Sequence, residues 1–373
     1  MRVMLPLVVA AGAAVFLLAR CGEESGTGPA PGPVVRIQAP FVHLAPGDSV
    51  WLEAAAMDAD HQMVDAEEIE WSSSDAGVVS VEDGGLVRAV GHGEATIRAE
   101  IEGGADEIAA TVGPAVLVGA GDIASCGTDG DDATAELLDA IEGVVFTTGD
   151  NAYPNGTTME FMRCYDPTWG RHKGRTRPTP GNHDYLTVEA APYYEYFGEA
   201  AGEEGKGYYS YDLGGWHIVV LNSEIETGPD SEQLRWLRAD LAAHPAPCIL
   251  AYWHRPLFSS DDLRGNPKVK PFWEALYEAG AELVVNGHDH YYDRYAPQTP
   301  DGAVDLERGI RQIVVGTGGQ PPHPSAFSPE NREVHDGATI GVLKLTLHPD
   351  RYAWEFMPAA GGTFTDSGDA PCH

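Results

Sequence analysis

From residue 113 onward, short apolar runs recur, and several end in a polar punctuation. AVLVGA is followed by Gly121-Asp122, GVVFTT by Gly149-Asp150-Asn151-Ala152-Tyr153, CILAYW by His254, and AELVVN by Gly287-His288-Asp289-His290. Runs of this length with β-branched enrichment read as buried strands. Between them lie segments with helical spacing: DDATAELLDAIEG, SEQLRWLRADLAA and VKPFWEALYEAG. The first is acidic in its opening turn, as the helix dipole favours, and with its flanking strands it forms a βαβ unit. GYYSYDLGGWHIVVLNS predicts a hairpin turning at Gly214-Gly215. IRQIVVGTGG, TIGVLKLTLH and RYAWEFM close the chain as further strands. The stretch from Asn155 to Thr179 has no strong periodicity. Its Phe161, Tyr165 and Trp169 read as core aromatics packed over the rim where the strands end.

Residues 34–112 follow another rhythm. The runs VVRIQA, SVWLEAAA, EIEWSS, VVSVE, LVRAV and EATIRAEI alternate, with turn clusters APGD and EDGG between them. Regular short strands with turn signals predict a small all-β sandwich. Trp71-Ser72-Ser73-Ser74-Asp75, Val79-Ser80-Val81, Gly85-Leu86-Val87-Arg88-Ala89 and Gly91-His92-Gly93-Glu94-Ala95-Thr96-Ile97 together resemble a bacterial immunoglobulin-like (Ig-like) domain. The resemblance implies a spacer or a cell-surface contact. His92, between two glycines, reads as a solvated turn residue.

Ahead of this unit, Arg2 and the apolar run Val3 to Leu18 predict a signal peptide over residues 1–20, too short for a transmembrane helix. Leu18-Ala19-Arg20-Cys21 resembles a bacterial lipoprotein signal, in which lipidated Cys21 would tether the chain to a membrane. Arg20 departs from that pattern, where a small residue is expected, so an ordinary cleavage site stays open as the alternative. Residues 21–33, rich in Gly, Pro and Ser, read as a flexible tether. The expected localisation is outside the cytoplasm: secreted, periplasmic or an outer-surface lipoprotein.

The chain of 373 residues carries 23 Lys and Arg against 57 Asp and Glu, a formal charge of −34. That balance shows no basic patch for nucleic acid and leaves an anionic substrate in need of a local positive centre, which bound metal ions supply. Beyond Cys21 the cysteines are Cys126, Cys164, Cys248 and Cys372, with no CxxC pair. In an oxidising compartment these four can pair. Cys126 with Cys164 is the favoured choice, because both follow strand-end segments.

Ligands in α/β sheets gather at the carboxyl edges of the strands. Together with Gly181-Asn182-His183-Asp184, the strand ends bring two aspartates, an asparagine and three histidines to one rim. Oxygen and imidazole donors without thiolate suit hard, highly charged ions, and a carboxylate between two ions bridges them, a placement that fits Asp150. Two such ions clamp a phosphoryl group and generate a metal-bound hydroxide, while a nearby neutral donor protonates the leaving alkoxide. His217, His244, His323, His335 and His348 lie outside this set and read as structural hydrogen bonders.

In these motifs residues 115–295 resemble the calcineurin-like metallophosphoesterases, and within them the purple-acid-phosphatase-like branch. The ordinary family pattern opens with Asp-x-His, whereas Asp122-Ile123-Ala124 lacks the histidine. The purple acid phosphatases also lack it and place a tyrosine after the second aspartate, as in Gly149-Asp150-Asn151-Ala152-Tyr153. Gly181-Asn182-His183-Asp184, His254-Arg255-Pro256 and Gly287-His288-Asp289-His290 complete the set. The resemblance implies an α/β (α+β) four-layer metallophosphoesterase sandwich over residues 113–373. It assigns Asp122, Asp150, Tyr153 and His290 to one metal, and Asp150, Asn182, His254 and His288 to the other. A phenolate ligand favours ferric iron, with iron, zinc or manganese as the second ion.

His183 would be the general acid or hold the phosphate. Asp184 and Asp289 are expected to orient the neighbouring histidines, Arg255 to contact phosphate or pair with a carboxylate, and Asn151 and Tyr291 to line the cleft. The implied function is an exported phosphatase acting on phosphate monoesters of small molecules. Open alternatives are a phosphodiesterase or nucleotidase using the same site, and a surface-binding protein with an inactive phosphatase fold.

Overall fold

A computed structural model describes residues 33–373 except 40, 45–48, 59–61, 66, 67 and 262–264. The expected signal peptide, Cys21 and the tether up to residue 32 lie outside the described residues. The chain divides into two compact units, the first reaching Gly113 and the second starting at Pro114.

The first unit is all β. A four-stranded sheet runs in the order Phe41–Leu44, Gly104–Val112, Gly93–Ile101, Glu70–Ser73, and a three-stranded sheet in the order Ser49–Trp51, Leu86–Ala89, Val79–Glu82. Val34–Ile37 pairs antiparallel with Ala54–Met57. Alternation decides which side chains go inside: Val35, Ile37, Val42, Leu44, Ile97 and Ala99 are buried in one core while their neighbours face outward. His92 is exposed in a bend, as expected of a turn residue.

The second unit holds two larger sheets. In one, Thr176–Thr179, Val144–Thr148 and Ala115–Ala120 run parallel, followed by antiparallel Gly341–His348, Arg351–Pro358 and Asp366–Pro371. In the other, Trp216–Val220, Cys248–Trp253, Leu283–Asn286 and Arg311–Val315 run parallel, with Tyr209–Leu213 on one edge and Tyr292–Tyr295 and Arg332–Asp336 on the other. The sheets face each other, with the rings of Phe146 and Tyr252 5.6 Å apart. On its other face the second sheet packs Val219, Ile249, Ala251 and Trp253 against helices Glu232–Ala243 and Lys270–Ala279. The fold is therefore mixed α/β with stacked sheets.

The βαβ unit forms, but its helix spans Gly130–Asp139 rather than running on to Gly143, where φ is 111° and the chain turns into the next strand. The aperiodic stretch after Asn155 winds through short turns at Thr158–Glu160, Phe161–Tyr165 and Trp169–Arg175. Phe161, Tyr165 and Trp169 are fully buried, as expected of core aromatics. Cys126 pairs with Cys164 and Cys248 with Cys372. No helix among the described residues is long and apolar enough to cross a membrane.

Candidate metal centre

Asp122 follows strand Ala115–Ala120, Asp150 follows Val144–Thr148, and His288 follows Leu283–Asn286. Their φ angles are 60°, 54° and 71°, and they make up three of the five non-glycine residues with positive φ among the described residues. That backbone region is costly for side chains with a Cβ and persists only where the surroundings impose it. Here the loops brace one another. Asp122 N–H donates to the Gly149 carbonyl at 3.0 Å, Ile123 N–H to the Asp150 carbonyl at 3.0 Å, and Gly287 N–H to the His254 carbonyl at 3.0 Å. Two glycines allow the approach: a Cβ at Gly181 would stand 2.2 Å from Asp150 Oδ1, and one at Gly287 2.8 Å from Asp122 Oδ2.

The side chains form two groups that share Asp150. In the first, the Tyr153 hydroxyl lies 2.8 Å from Asp122 Oδ1, 2.9 Å from Asp150 Oδ2 and 3.2 Å from His290 Nε2. His290 Nε2 lies 3.3 Å from Asp122 Oδ1. In the second, His254 Nε2 is 3.3 Å from Asp150 Oδ2, 3.1 Å from Asn182 Oδ1 and 3.2 Å from His288 Nδ1. Asp150, His254 and His288 offer ligand atoms that all lie within 4.8 Å of one another. His183 Nε2 approaches Asp150 Oδ2 at 3.9 Å, and its ring is the more open one, 31% exposed.

Backbone carbonyls set the histidine rings. His254 Nδ1 faces the Thr148 carbonyl at 2.8 Å, His290 Nδ1 the Pro321 carbonyl at 3.3 Å, and His183 Nδ1 the Pro154 carbonyl at 2.6 Å. A carbonyl only accepts, so each Nδ1 carries a proton; His254 and His290 are thereby set to turn an Nε2 lone pair to the centre, and His183 keeps Nε2 free to take or give a second proton. This corrects the expectation for Asp184 and Asp289. Asp184 accepts from Gly181 N–H at 2.8 Å and from the Asn151 amide at 3.0 Å. Asp289 accepts from the hydroxyls of Ser259 at 2.6 Å and Tyr291 at 2.8 Å. Both carboxylates point away from the adjacent rings and fix the loops behind them. Asn151 and Tyr291 are fully buried in that layer and do not line the cleft.

The electrostatics favour a cation. Burial alone would push Asp150 up, but facing His254 and His183 holds it below the usual carboxylate range. Asp122 is likewise held down, by His290 and His254 against burial. Burial opposes the charge on His254, yet Asp150 raises it to about 10, while burial and the charges of His254 and Arg255 lower His288 to about 3. Burial and the two carboxylates push the Tyr153 phenol well above its ordinary value. Buried carboxylates, imidazoles with inward lone pairs, an amide oxygen and a phenol are a donor set that fits two hard or borderline cations, with protons at those places otherwise.

Arg255 pairs with Glu224 at 2.9 Å and places Nη1 3.0 Å from His288 Nε2. It borders a groove of about 1030 Å³ lined also by Glu224, Glu226, Asp261, Lys268 and His288. Sequence reasoning missed Glu224, which follows the run HIVVLNS, and the turn after IRQIVV. There Gly318 N–H donates to the Gly121 carbonyl at 2.8 Å and Gln320 N–H to the Asp122 carbonyl at 3.0 Å. Both are strand-end signals of the kind used for the other loops. His323, read as structural, has Nε2 3.3 Å from the His290 backbone N–H.

Residues 105–292 match the family model described as calcineurin-like phosphoesterase. Purple acid phosphatase 15 of Arabidopsis thaliana is 29% identical over 272 residues, covering 61% of this chain and 51% of that protein. Probable purple acid phosphatase 20 of the same plant is 28% identical over 164 residues, covering 37% and 38%. The chain thus spans about half or less of the length of these relatives. The purple acid phosphatase PPD1 from yellow lupin (Lupinus luteus) seeds superimposes with a TM-score of 0.59 at 17% identity, covering 91% of this chain and 74% of that one, a likeness of fold.

Proposed function

The chain belongs to the calcineurin-like phosphoesterases, and from that premise we propose that it hydrolyses phosphate monoesters at a two-metal centre of the purple-acid-phosphatase type. The carrying observation is Asp150, whose one oxygen faces both Tyr153 and His254 at 2.9 and 3.3 Å. Asp122, Tyr153 and His290 would hold one ion with it, and Asn182, His254 and His288 the other. When bound, the ions supply Lewis acidity toward the phosphoryl oxygens and toward water. The chain's own residues do the rest. The carbonyls of Thr148 and Pro321 keep the lone pairs of His254 and His290 aimed at the ions. His183, anchored on the Pro154 carbonyl, holds its Nε2 at the open side, where a proton on that atom reaches the leaving oxygen or the phosphate. Arg255, neutralised by Glu224, borders the groove that receives the leaving group. The size of that groove keeps a diester or nucleotide substrate as the alternative, separated by comparing rates on a monoester and a diester.

A phenolate donor at Tyr153 favours ferric iron in the first position, with iron, zinc or manganese in the second. Elemental analysis with a visible spectrum tests both. Two metals per chain, including iron, and a broad visible band absent from Tyr153→Phe are expected. Two metals without the band would remove Tyr153 and ferric iron but keep the phosphoesterase. A folded, metal-supplemented protein with no stoichiometric metal would favour the binding-protein reading.

We further read residues 1–20 as a signal peptide, 21–33 as a tether, 34–112 as an Ig-like spacer and 113–373 as the catalytic domain. The two disulfides support an oxidising compartment. Mass spectrometry of the mature amino terminus checks lipidation, an acylated Cys21 being expected of a membrane-tethered form.

A further inference from the structure

A second set of imidazoles and carboxylates lies away from the metal rim. Asp212 is the penultimate residue of the first arm of the hairpin Tyr209–Leu213 and Trp216–Val220, and pairs across it with His217. Asp240 and His244 stand one turn apart at the end of helix Glu232–Ala243. His217 is buried, with Nδ1 2.8 Å from Asp212 Oδ1 and Nε2 2.9 Å from Asp240 Oδ2. His244 Nδ1 lies 3.2 Å from Asp240 Oδ1 and 3.0 Å from the Asp240 carbonyl. The two imidazoles stack at 5.1 Å with planes 17° apart. Ligand atoms of His217, Asp240 and His244 all lie within 4.8 Å of one another.

We propose that His217, Asp240 and His244 bind a divalent cation of the zinc class, separately from the catalytic rim. Two imidazoles and one carboxylate, with a fourth position open to water, are a zinc donor set. The outer contacts are those a ligand cluster needs. Asp212 takes the Nδ1 proton of His217 and turns Nε2 toward the ion. Ser210 Oγ donates to Asp240 Oδ1 at 2.9 Å and fixes that carboxylate. Without metal, a proton between His217 Nε2 and Asp240 Oδ2, 2.9 Å apart, joins the two side chains. A cation takes the place of that proton at Nε2, and binding releases it. His244 gives up its Nδ1 hydrogen bond to the Asp240 carbonyl and turns that lone pair to the ion, its remaining proton moving to the exposed Nε2.

The location argues for a structural ion. His217 pairs with Ile249 near the start of strand Cys248–Trp253, whereas His254 follows the end of that strand. At about 3.3 Å per residue the two sites lie roughly 16 Å apart along the sheet. The ion would fasten the hairpin to helix Glu232–Ala243 without touching substrate.

The test uses the full-length protein with its rim already loaded with metal, titrated with Zn²⁺ alone. Wild type is expected to bind one zinc per chain more than His244→Gln, with equal phosphatase rates, and to gain a zinc-dependent rise in Tm that the variant lacks. His244 caps the helix at the surface with its side chain 44% exposed, so the variant folds. Asp212→Asn, which keeps all three ligands, is expected to bind that zinc about 10- to 100-fold more weakly. Equal zinc content in wild type and His244→Gln, or the same Tm response in both, overturns the proposal. Because the readout is a difference between two proteins with the same rim, failure of the catalytic reading would leave it interpretable.

Discussion

Two groups among the buried aspartates of the second unit contrast. Asp122 and Asp150 face imidazoles, sit on left-handed backbone and are held below the ordinary carboxylate range. Asp184, Asp289 and Asp131 are equally buried, but they accept only from amides and hydroxyls. Burial, with the charge of Asp150 for Asp184, pushes Asp184 and Asp289 up to about 7, and burial pushes Asp131 to about 6. Burial is common to both groups, so burial does not separate them. The marks are a positive neighbour and a backbone strain that the fold holds in place.

The sharpest way to break this contrast is at the shared carboxylate. Asp150→Ala is expected to empty both halves of the rim and to lower the phosphatase rate by on the order of 10³-fold or more, read by turnover of an aryl phosphate and by elemental analysis. Retention of two metals with substantial turnover would mean Asp150 is not the shared ligand. His183→Ala comes next. It is expected to lose roughly 10²- to 10³-fold in rate with metal content unchanged, since its Nε2 stands 3.9 Å from Asp150. Metal loss in this variant would make His183 a ligand instead.

Asp184→Asn probes the other class. The Gly181 N–H and the Asn151 side-chain amide both donate to Asp184 Oδ2, while Oδ1 faces the Asn151 backbone N–H at 3.3 Å, so an asparagine oxygen in the place of Oδ2 keeps both donors but removes the charge and sets its NH2 against that N–H. A loss of about 10- to 100-fold in metal affinity or rate is expected, below that of Asp150→Ala. A loss as large as that of Asp150→Ala would erase the distinction between the two classes.

How much of this was legible in the sequence follows from the same contrast. Apolar runs ending at Asp122, Asp150, His254 and His288 were readable because parallel strands buried on both faces leave continuous apolar strings. Strands Tyr292–Tyr295, Arg332–Asp336 and Asp366–Pro371 were not. YDRY, REVHD and DSGDAP carry too many polar residues to stand out, and their pairing is set by the sheet edges they join. The residues of the rim were nameable from spacing, but the direction of a side chain was not. Asp184 and Asp289 adjoin histidines in sequence, yet neighbours along a turn point different ways, and at His183 and His290 the carbonyls of Pro154 and Pro321 took the role expected of them. A carbonyl has no residue type to read.

The smallest effect concerns Asp131, a member of the second group that follows Asp122 along the chain. It lies in the first turn of helix Gly130–Asp139, accepts the Thr168 hydroxyl at Oδ2 at 3.0 Å, and its Oδ1 has no partner. Burial raises its folded value from 3.8 to about 6, against the Thr168 bond, with the charge of neighbouring Asp132 adding to the rise. Between about pH 4 and pH 6 the folded chain therefore keeps a proton that the unfolded chain has released. Stability falls with rising pH across that window and gains no further slope from this group above it. Asp131→Asn keeps an oxygen for Thr168 and removes the titration. The stability of the variant relative to wild type, from denaturant midpoints, is expected to rise from pH 4 to pH 6 and then level off. A flat difference would place Asp131 among ordinary surface carboxylates, and a falling one would put it with Asp122 and Asp150, beside a positive charge.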